Sequence, residues 1–270
     1  VNRDEGLFHG ARIPFETKRF FTLGSIIFIL QQGNYPANLI LLMKNNTTYV
    51  FIPGGWHGGW AYDAVTAQLE QEGKKCISLT LPGLEPQPGP PGRMINLNTH
   101  IEFVTNILIK QDIRNVILCG HSYAGLVITG VADAIPERIA ALVYIDAYIP
   151  EDGDSCWSLT TDIYRDRFVT GAGNDGFNVA VPPGADDRRR PHPLATFMQQ
   201  LRLTGNVEKV VNRAFIYLGG WSPSPFVKYY ETVKHSPHWH VETIDCGHNV
   251  MRDCPNKLVD VLYRLEDQFI

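Results

Sequence analysis

Long apolar runs are missing from this chain of 270 residues. The stretches at 23–30, broken by Gly24 and Ser25, and at 39–43 both fall far short of the ~20 residues a membrane span needs. No basic start, longer apolar stretch and small-residue cleavage site follow one another as in a secretory signal. An excess of positive charge is also missing. Lys and Arg number 24 against 28 Asp and Glu, giving −4 with the nine histidines neutral, and no basic stripe forms. Nucleic acid is therefore not expected as a partner, nor is a membrane. The run Asp186-Asp187-Arg188-Arg189-Arg190 is nearly balanced and reads as a solvated loop. Cysteine is sparse: five residues, an odd number, without metal-like spacing. Cys76 and Cys119 sit in apolar runs and read as small core residues, and no pairing is indicated for Cys246 and Cys254. Reduced thiols, a cytoplasmic setting and no bound metal are the expectation.

Charged residues make up only 19% and apolar residues 44%, enough for a sizeable core in one large α/β domain, with or without an inserted cap. Apolar strand-like segments alternate with helical patterns. Strands are expected at 48–52, 75–79, 116–119, 139–145, 214–218 and 240–244. Helices are expected at 62–72, from an Asn98 cap through Ile101, Val104, Ile107 and Leu108, after Ser122, near 225–234 and from Pro255 to about Phe269. Residues 82–92, with five prolines and three glycines, read as an exposed irregular loop. The alternation implies a mainly parallel sheet covered on both faces. It lapses between about 150 and 210, where only 193–203 carries a helical pattern (Leu194, Phe197, Met198, Leu201). The expected division is an extension at 1–46, of which 1–42 is dispensable for the fold, a core at 47–149 and 211–270, and a cap at 150–210.

The chemistry centres on Gly120-His121-Ser122-Tyr123-Ala124-Gly125, behind an apolar strand and ahead of a helix. Small residues on both sides of a serine suit a sharp strand-to-helix turn that lifts its hydroxyl clear of the sheet. Serine needs a base, and the base an orienting acid. His248 follows the last strand, where a base can lean over the turn. His9, His100, His192, His235, His238 and His240 lie elsewhere, and His121 is expected to point away from the serine. The acid is Asp146, next after the strand 139–145, because 219–225 holds no carboxylate. Glu151, Asp152 and Asp245 are the alternatives, and Asp146 could instead tie down the cap. Two backbone donors must hold the developing oxyanion: Tyr123 N–H, and one from Pro53-Gly54-Gly55-Trp56-His57-Gly58-Gly59-Trp60, with Gly55 ahead of Trp56. That glycine-rich loop lacks lysine and is not a phosphate loop.

Pro53 to Trp60, Gly120 to Gly125, Tyr144-Ile145-Asp146-Ala147-Tyr148-Ile149-Pro150 and Gly247-His248-Asn249-Val250-Met251, in this order, resemble the α/β-hydrolase superfamily. The likeness is to the branch holding methylesterases, hydroxynitrile lyases and bacterial esterases. The resemblance implies the α/β-hydrolase fold and a serine hydrolase with Ser122 and His248 in the roles above. Hydroxynitrile lyases carry a lysine after the catalytic histidine; Asn249 stands here, which argues against cyanohydrin cleavage. The expected activity is cofactor-free hydrolysis of a small-molecule carboxylic ester or lactone through an acyl-enzyme. Trp56, Trp157, Phe197 and Met198, with Tyr164, Phe168 and Phe177, would shape a pocket for a neutral, largely apolar substrate. Macrolactone antibiotics are among those that such bacterial enzymes open. The rivals are amide or carbon–carbon cleavage on the same fold, and a non-enzymatic binding protein.

Overall fold

The computed structural model describes residues 47–87, 94–184 and 186–269. The expected extension at 1–46 lies outside them. Six parallel strands form the central sheet: β1 (Thr48–Ile52), β2 (Lys75–Ser78), β3 (Val116–His121), β4 (Ile139–Ile145), β7 (Arg213–Leu218) and β8 (His240–Ile244). Their order is β2-β1-β3-β4-β7-β8, so the chain leaves β1 in one direction and returns to its other side at β3. In such sheets ligands bind outside the carboxyl ends of the strands at that reversal.

The strands alternate between two apolar faces, as the period of two requires. Val50, Ile52, Leu118, Leu142, Tyr144 and Phe215 face one core. There they meet α2 (Leu97–Lys110), through Val104 and Leu108, and α3 (Ala124–Ala134), through Leu126 and Val127. Tyr49, Phe51, Ile117, Cys119, Val143 and Ile216 face the other. There α1 (Asp63–Gln71) contributes Val65 and Leu69, and α9 (Pro255–Phe269) contributes Leu258, Leu262 and Leu265. β1 and β3 are buried at every position, which is why they read as unbroken apolar runs.

The glycine at the start of α3 is a packing requirement. A Cβ on Gly125 would run into the backbone carbonyl of Tyr148. Glycine to alanine in a helix ordinarily stabilises by about 0.5–1 kcal/mol. Here overpacking, typically about 1–3 kcal/mol, sets the sign. Gly125→Ala is expected to lower the urea midpoint, and an unchanged or raised midpoint would contradict this account.

Some local expectations are corrected. The cap of α2 is Asn96, not Asn98: Asn96 Oδ1 accepts from Thr99 N–H at 3.0 Å, and Thr99 Oγ1 accepts from Asn96 N–H at 3.2 Å. The loop after β2 is not exposed at its start. Pro82 and Leu84 are buried because Pro82 O accepts from His100 Nε2 at 2.9 Å beneath it. In the region between β4 and β7 the helix expected over 193–203 shrinks to α6 (Leu194–Met198). It is joined by α4 (Cys156–Leu159), α5 (Asp162–Gly171) and the antiparallel pair β5 (Asn178–Val179) and β6 (His192–Pro193). Carboxylates tie this region down. Asp133 of α3 accepts from Thr204 N–H at 2.7 Å and Val207 N–H at 3.0 Å, and Asp152 accepts from Leu203 N–H at 2.8 Å. The chain closes with α7 (Val227–Val233), α8 (Val250–Asp253) and α9. Among the described residues no helix is long and apolar enough to cross a membrane.

Candidate active site

Three chain segments meet at the carboxyl ends of β3, β4 and β8. Ser122 ends β3 with φ 56°, and Asp146 ends β4 with φ 42°. Left-handed φ is rare outside glycine and marks backbone held under strain by its surroundings. The holding bonds are Ser122 N–H to Ile145 O at 3.3 Å, Tyr148 N–H to Ser122 O at 3.2 Å and Asp146 N–H to Ile216 O at 2.8 Å. Parallel register pairs His121 with Ile145, so the next residues on the two strands, Ser122 and Asp146, are neighbours. Ala124 O and Ile128 lie 2.8 and 2.9 Å from where a Cβ on Gly120 would sit, and Ser122 Cβ is 2.9 Å from that of Gly54. The small residues around the serine are thus sterically required.

Behind the serine, His248 Nδ1–H donates to Asp146 Oδ2 at 2.7 Å. The carboxylate is fully buried and the imidazole about a quarter exposed. Trp221 Nε1–H donates to the same oxygen at 2.9 Å. His248 lies among His121, Trp221 and Phe226, with ring centroids 4.3, 4.6 and 5.3 Å away. Of the four carboxylates considered from sequence, Asp146 is the one bonded to His248. Glu151 and Asp245 are exposed, and Asp152 serves the cap region.

The glycine-rich loop carries Trp56 at φ 66°. Its N–H donates to His192 Nδ1 at 3.1 Å. His192 is therefore protonated on Nε2, which donates to Thr196 Oγ1 at 2.8 Å, while that hydroxyl donates to Pro193 O. This occupies the Trp56 donor. Gly55 N–H and Tyr123 N–H have no acceptor among the described residues, and both residues line the same cavity as Ser122 and His248. Burial pushes the His57 pKa down to about 4 despite its bond to Gly55 O at 2.7 Å. Burial likewise holds His121 and His192 well below the ordinary histidine value.

The cavity measures about 180 Å³. Trp56, Tyr123, Tyr148, Tyr164, Phe168, Phe197 and Phe226 give it an aromatic wall, and Arg167 and Arg189 are set into it. A model of the alpha/beta hydrolase family matches residues 49–261. The chain belongs to that family. A carbendazim hydrolyzing esterase from Nocardioides sp. (strain SG-4G) is 36% identical over 239 residues, covering 80% of this chain and 98% of the relative. A pyrethroid hydrolase from Sphingobium wenxiniae is 29% identical over 148 residues, covering 55% and 45%. Among solved structures, an extracellular alpha/beta-hydrolase from a Paenibacillus species superposes with TM-score 0.70 at 19% identity, covering 81% of this chain and 98% of that one. A methylesterase from Arabidopsis gives 0.63 at 20% identity, covering 83% and all of that chain. These two show the shared fold.

In this hydrolase Trp56 and Phe197 line the cavity as expected, but Trp157 and Met198 do not. On the short helix α6, Phe197 turns inward and is 1% exposed, whereas Met198, one residue on, turns outward and is 43% exposed. On α4 it is Cys156 that reaches the cavity, and Trp157 packs beside it. Phe177 is exposed as well. His121, expected to point away, lines the cavity, and its Nε2–H donates to His248 O at 2.8 Å. The run at 186–190 is not simply a solvated loop: Arg190 N–H donates to Trp56 O at 3.0 Å, and Arg189 faces the cavity. Cys246 and Cys254 form a disulfide around the His248 loop. The loop after β8 and the short helix α8 together bring their Cα atoms to 6.5 Å, within bridging range. That bond removes the reduced-thiol argument on which the cytoplasmic expectation rested. Trp221, His192 and Arg189 went unrecognised because an indole, an imidazole or a guanidinium far away in sequence carries no local signal of its contact.

Proposed function

We propose that this hydrolase cleaves carboxylic esters through an acyl-enzyme on Ser122. The observation that carries the proposal is the 2.7 Å bond from His248 Nδ1–H to buried Asp146, beneath a cavity lined by both Ser122 and His248. With Nδ1 carrying the proton, Nε2 is the basic nitrogen and takes the proton of Ser122 as its oxygen attacks the ester carbonyl. Tyr123 N–H and Gly55 N–H receive the oxyanion. Each such donor is worth ~2.7–4 kcal/mol in the transition state. His248 then gives its proton to the leaving alcohol. Water, deprotonated by the same nitrogen, releases the acid and restores Ser122. No cofactor enters this cycle.

Relatives named as a carbendazim hydrolyzing esterase and a pyrethroid hydrolase support ester-type substrates. The cavity, about 180 Å³, is smaller than the ~300–1,000 Å³ typical of pockets that enclose drug-sized ligands. A small ester or lactone suits it better than a macrolactone. The test is labelling with a serine-reactive fluorophosphonate, read by mass spectrometry of the peptide holding Ser122. Stoichiometric modification at Ser122, blocked by prior incubation with substrate ester, is expected. An unmodified Ser122 in folded protein would overturn the proposal.

A further inference from the structure

Two guanidinium groups line the cavity that holds Ser122 and His248: Arg167, from α5, and Arg189, from the loop before β6. Among the described residues no carboxylate lines it. Asp146 is behind His248, with Oδ2 taken by His248 and Trp221.

The three consecutive arginines are not equivalent. Arg188 is paired with Asp186 at 2.7 Å and lies 4.1 Å over the Trp60 ring. Arg190 donates to the carbonyls of Asp187 and Arg189, each at 2.8 Å. Arg189 has no such partner: its Nε is buried and makes no hydrogen bond among the described residues. The backbone here is anchored to the oxyanion loop, because Arg190 N–H donates to Trp56 O. Burial lowers the Arg189 pKa and Arg252 nearby adds to the effect, while Asp186 opposes it. Arg167, on the exposed side of α5, lies 5.0 Å over the Tyr164 ring, so the desolvation falls on Arg189. Withdrawing a guanidinium from water without a counter-charge is costly, and an anion delivered by a ligand offsets that cost. A carboxylate suits the fork of an arginine better than any neutral group.

We propose that Arg189, seconded by Arg167, forms an anion subsite, and that the substrate is an ester carrying a free carboxylate besides its scissile bond. This rests on the ester-hydrolase reading of the same cavity and revises the expectation of a wholly neutral substrate. Arg189 acts as a specificity residue: it orients the charged end while the aromatic wall holds the rest.

The test compares kcat/KM for matched esters. The p-nitrophenyl hemiesters of succinate, glutarate and adipate are set against neutral p-nitrophenyl esters of the same chain lengths. The butanoate ester of 4-hydroxybutanoate is set against butyl butanoate, to place the charge on the alcohol side. At least one charged substrate is expected to exceed its neutral partner by about tenfold or more, the size expected of one charge-assisted hydrogen bond. Arg189→Gln is expected to bring that ratio close to one, and raised salt to reduce it in the wild type. A wild-type preference for the neutral member of every pair overturns the proposal, and so does an Arg189→Gln enzyme with an undiminished ratio. Binding is read separately through the glutarate-induced rise in melting temperature, expected in the wild type and reduced in Arg167→Gln and Arg189→Gln. If neither kind of ester is cleaved, the ester reading fails by itself, and glutarate binding alone decides the anion subsite: no rise in the wild type overturns it.

Discussion

Asp146→Asn is expected to lower kcat for ester hydrolysis by about 10²–10³-fold, because the imidazolium that forms on His248 loses its buried counter-charge. Two donors converge on Asp146 Oδ2, His248 Nδ1–H at 2.7 Å and Trp221 Nε1–H at 2.9 Å. Asparagine has one oxygen and one NH2 group. An indole N–H can only donate, so the amide oxygen takes the Oδ2 position and still accepts from both donors, with the NH2 group at the buried Oδ1 position, which has no partner among the described residues. His248 keeps its proton on Nδ1, and what is lost is the negative charge opposite it. Shape and volume are nearly kept, so the variant is expected to fold. The effect should fall on kcat, with little change in KM for neutral esters. Trp221→Phe separates the two donors: it frees the amide to turn its NH2 group toward His248, so adding it to Asp146→Asn should deepen the loss. Stopped-flow and steady-state turnover of p-nitrophenyl esters measure both. Full turnover in Asp146→Asn would contradict the assignment of this residue as the orienting acid.

Acid should destabilise this protein well above the carboxylate range. His57, His121 and His192 are each held below the ordinary value, chiefly by burial, His57 to about 4. The sign follows from which state binds protons first. Unfolded histidines take them up near 6.5, while the folded ones resist, so falling pH favours the unfolded chain. Stability is full above about 6.5 and drops until about 4, where folded His57 also charges. At pH 5 His57 alone costs about 2 kcal/mol, and His121 and His192 act in the same direction. Whole domains are stable by only about 5–15 kcal/mol. Urea midpoints between pH 7 and pH 5 measure this, and a flat profile would contradict it. Protonation has a local consequence too: a charged His192 cannot accept from Trp56 N–H, so the oxyanion loop loses its contact with β6.

The sheet was legible in the sequence because its signals are short-range. The strand 139–145 begins and ends where its apolar run does. The serine turn declared itself through Gly120 and Gly125, and both glycines meet backbone atoms in the fold. The choice of Asp146 rested on chain order, and the geometry behind it is the parallel register of β3 and β4. The region between β4 and β7 was much less legible. Its helices α4 and α6 run four and five residues, too short for a helical period to declare which side faces in. Cys156 and Phe197 face the cavity while Trp157 and Met198 do not, although composition favours all alike. Arg188 and Arg190 are held by the nearby Asp186 and Asp187 and by the distant Trp60 and Trp56, a difference from Arg189 that a repeated residue type does not display.

The placement of the acid at the end of β4 leaves the loop after β7 with latitude. From Gly219 to Pro225 the chain carries no titratable group. Its one link to the proton-transfer machinery is the indole of Trp221, while Pro225 and Phe226 form part of the cavity wall. Acid–base chemistry and the shape of one side of the cavity are thus assigned to separate pieces of chain. Residues 222–225 can be exchanged to admit a different acyl or alcohol group without relocating a charge, while Phe226 stays stacked on His248. A chain with its carboxylate on that loop would have to alter both properties together.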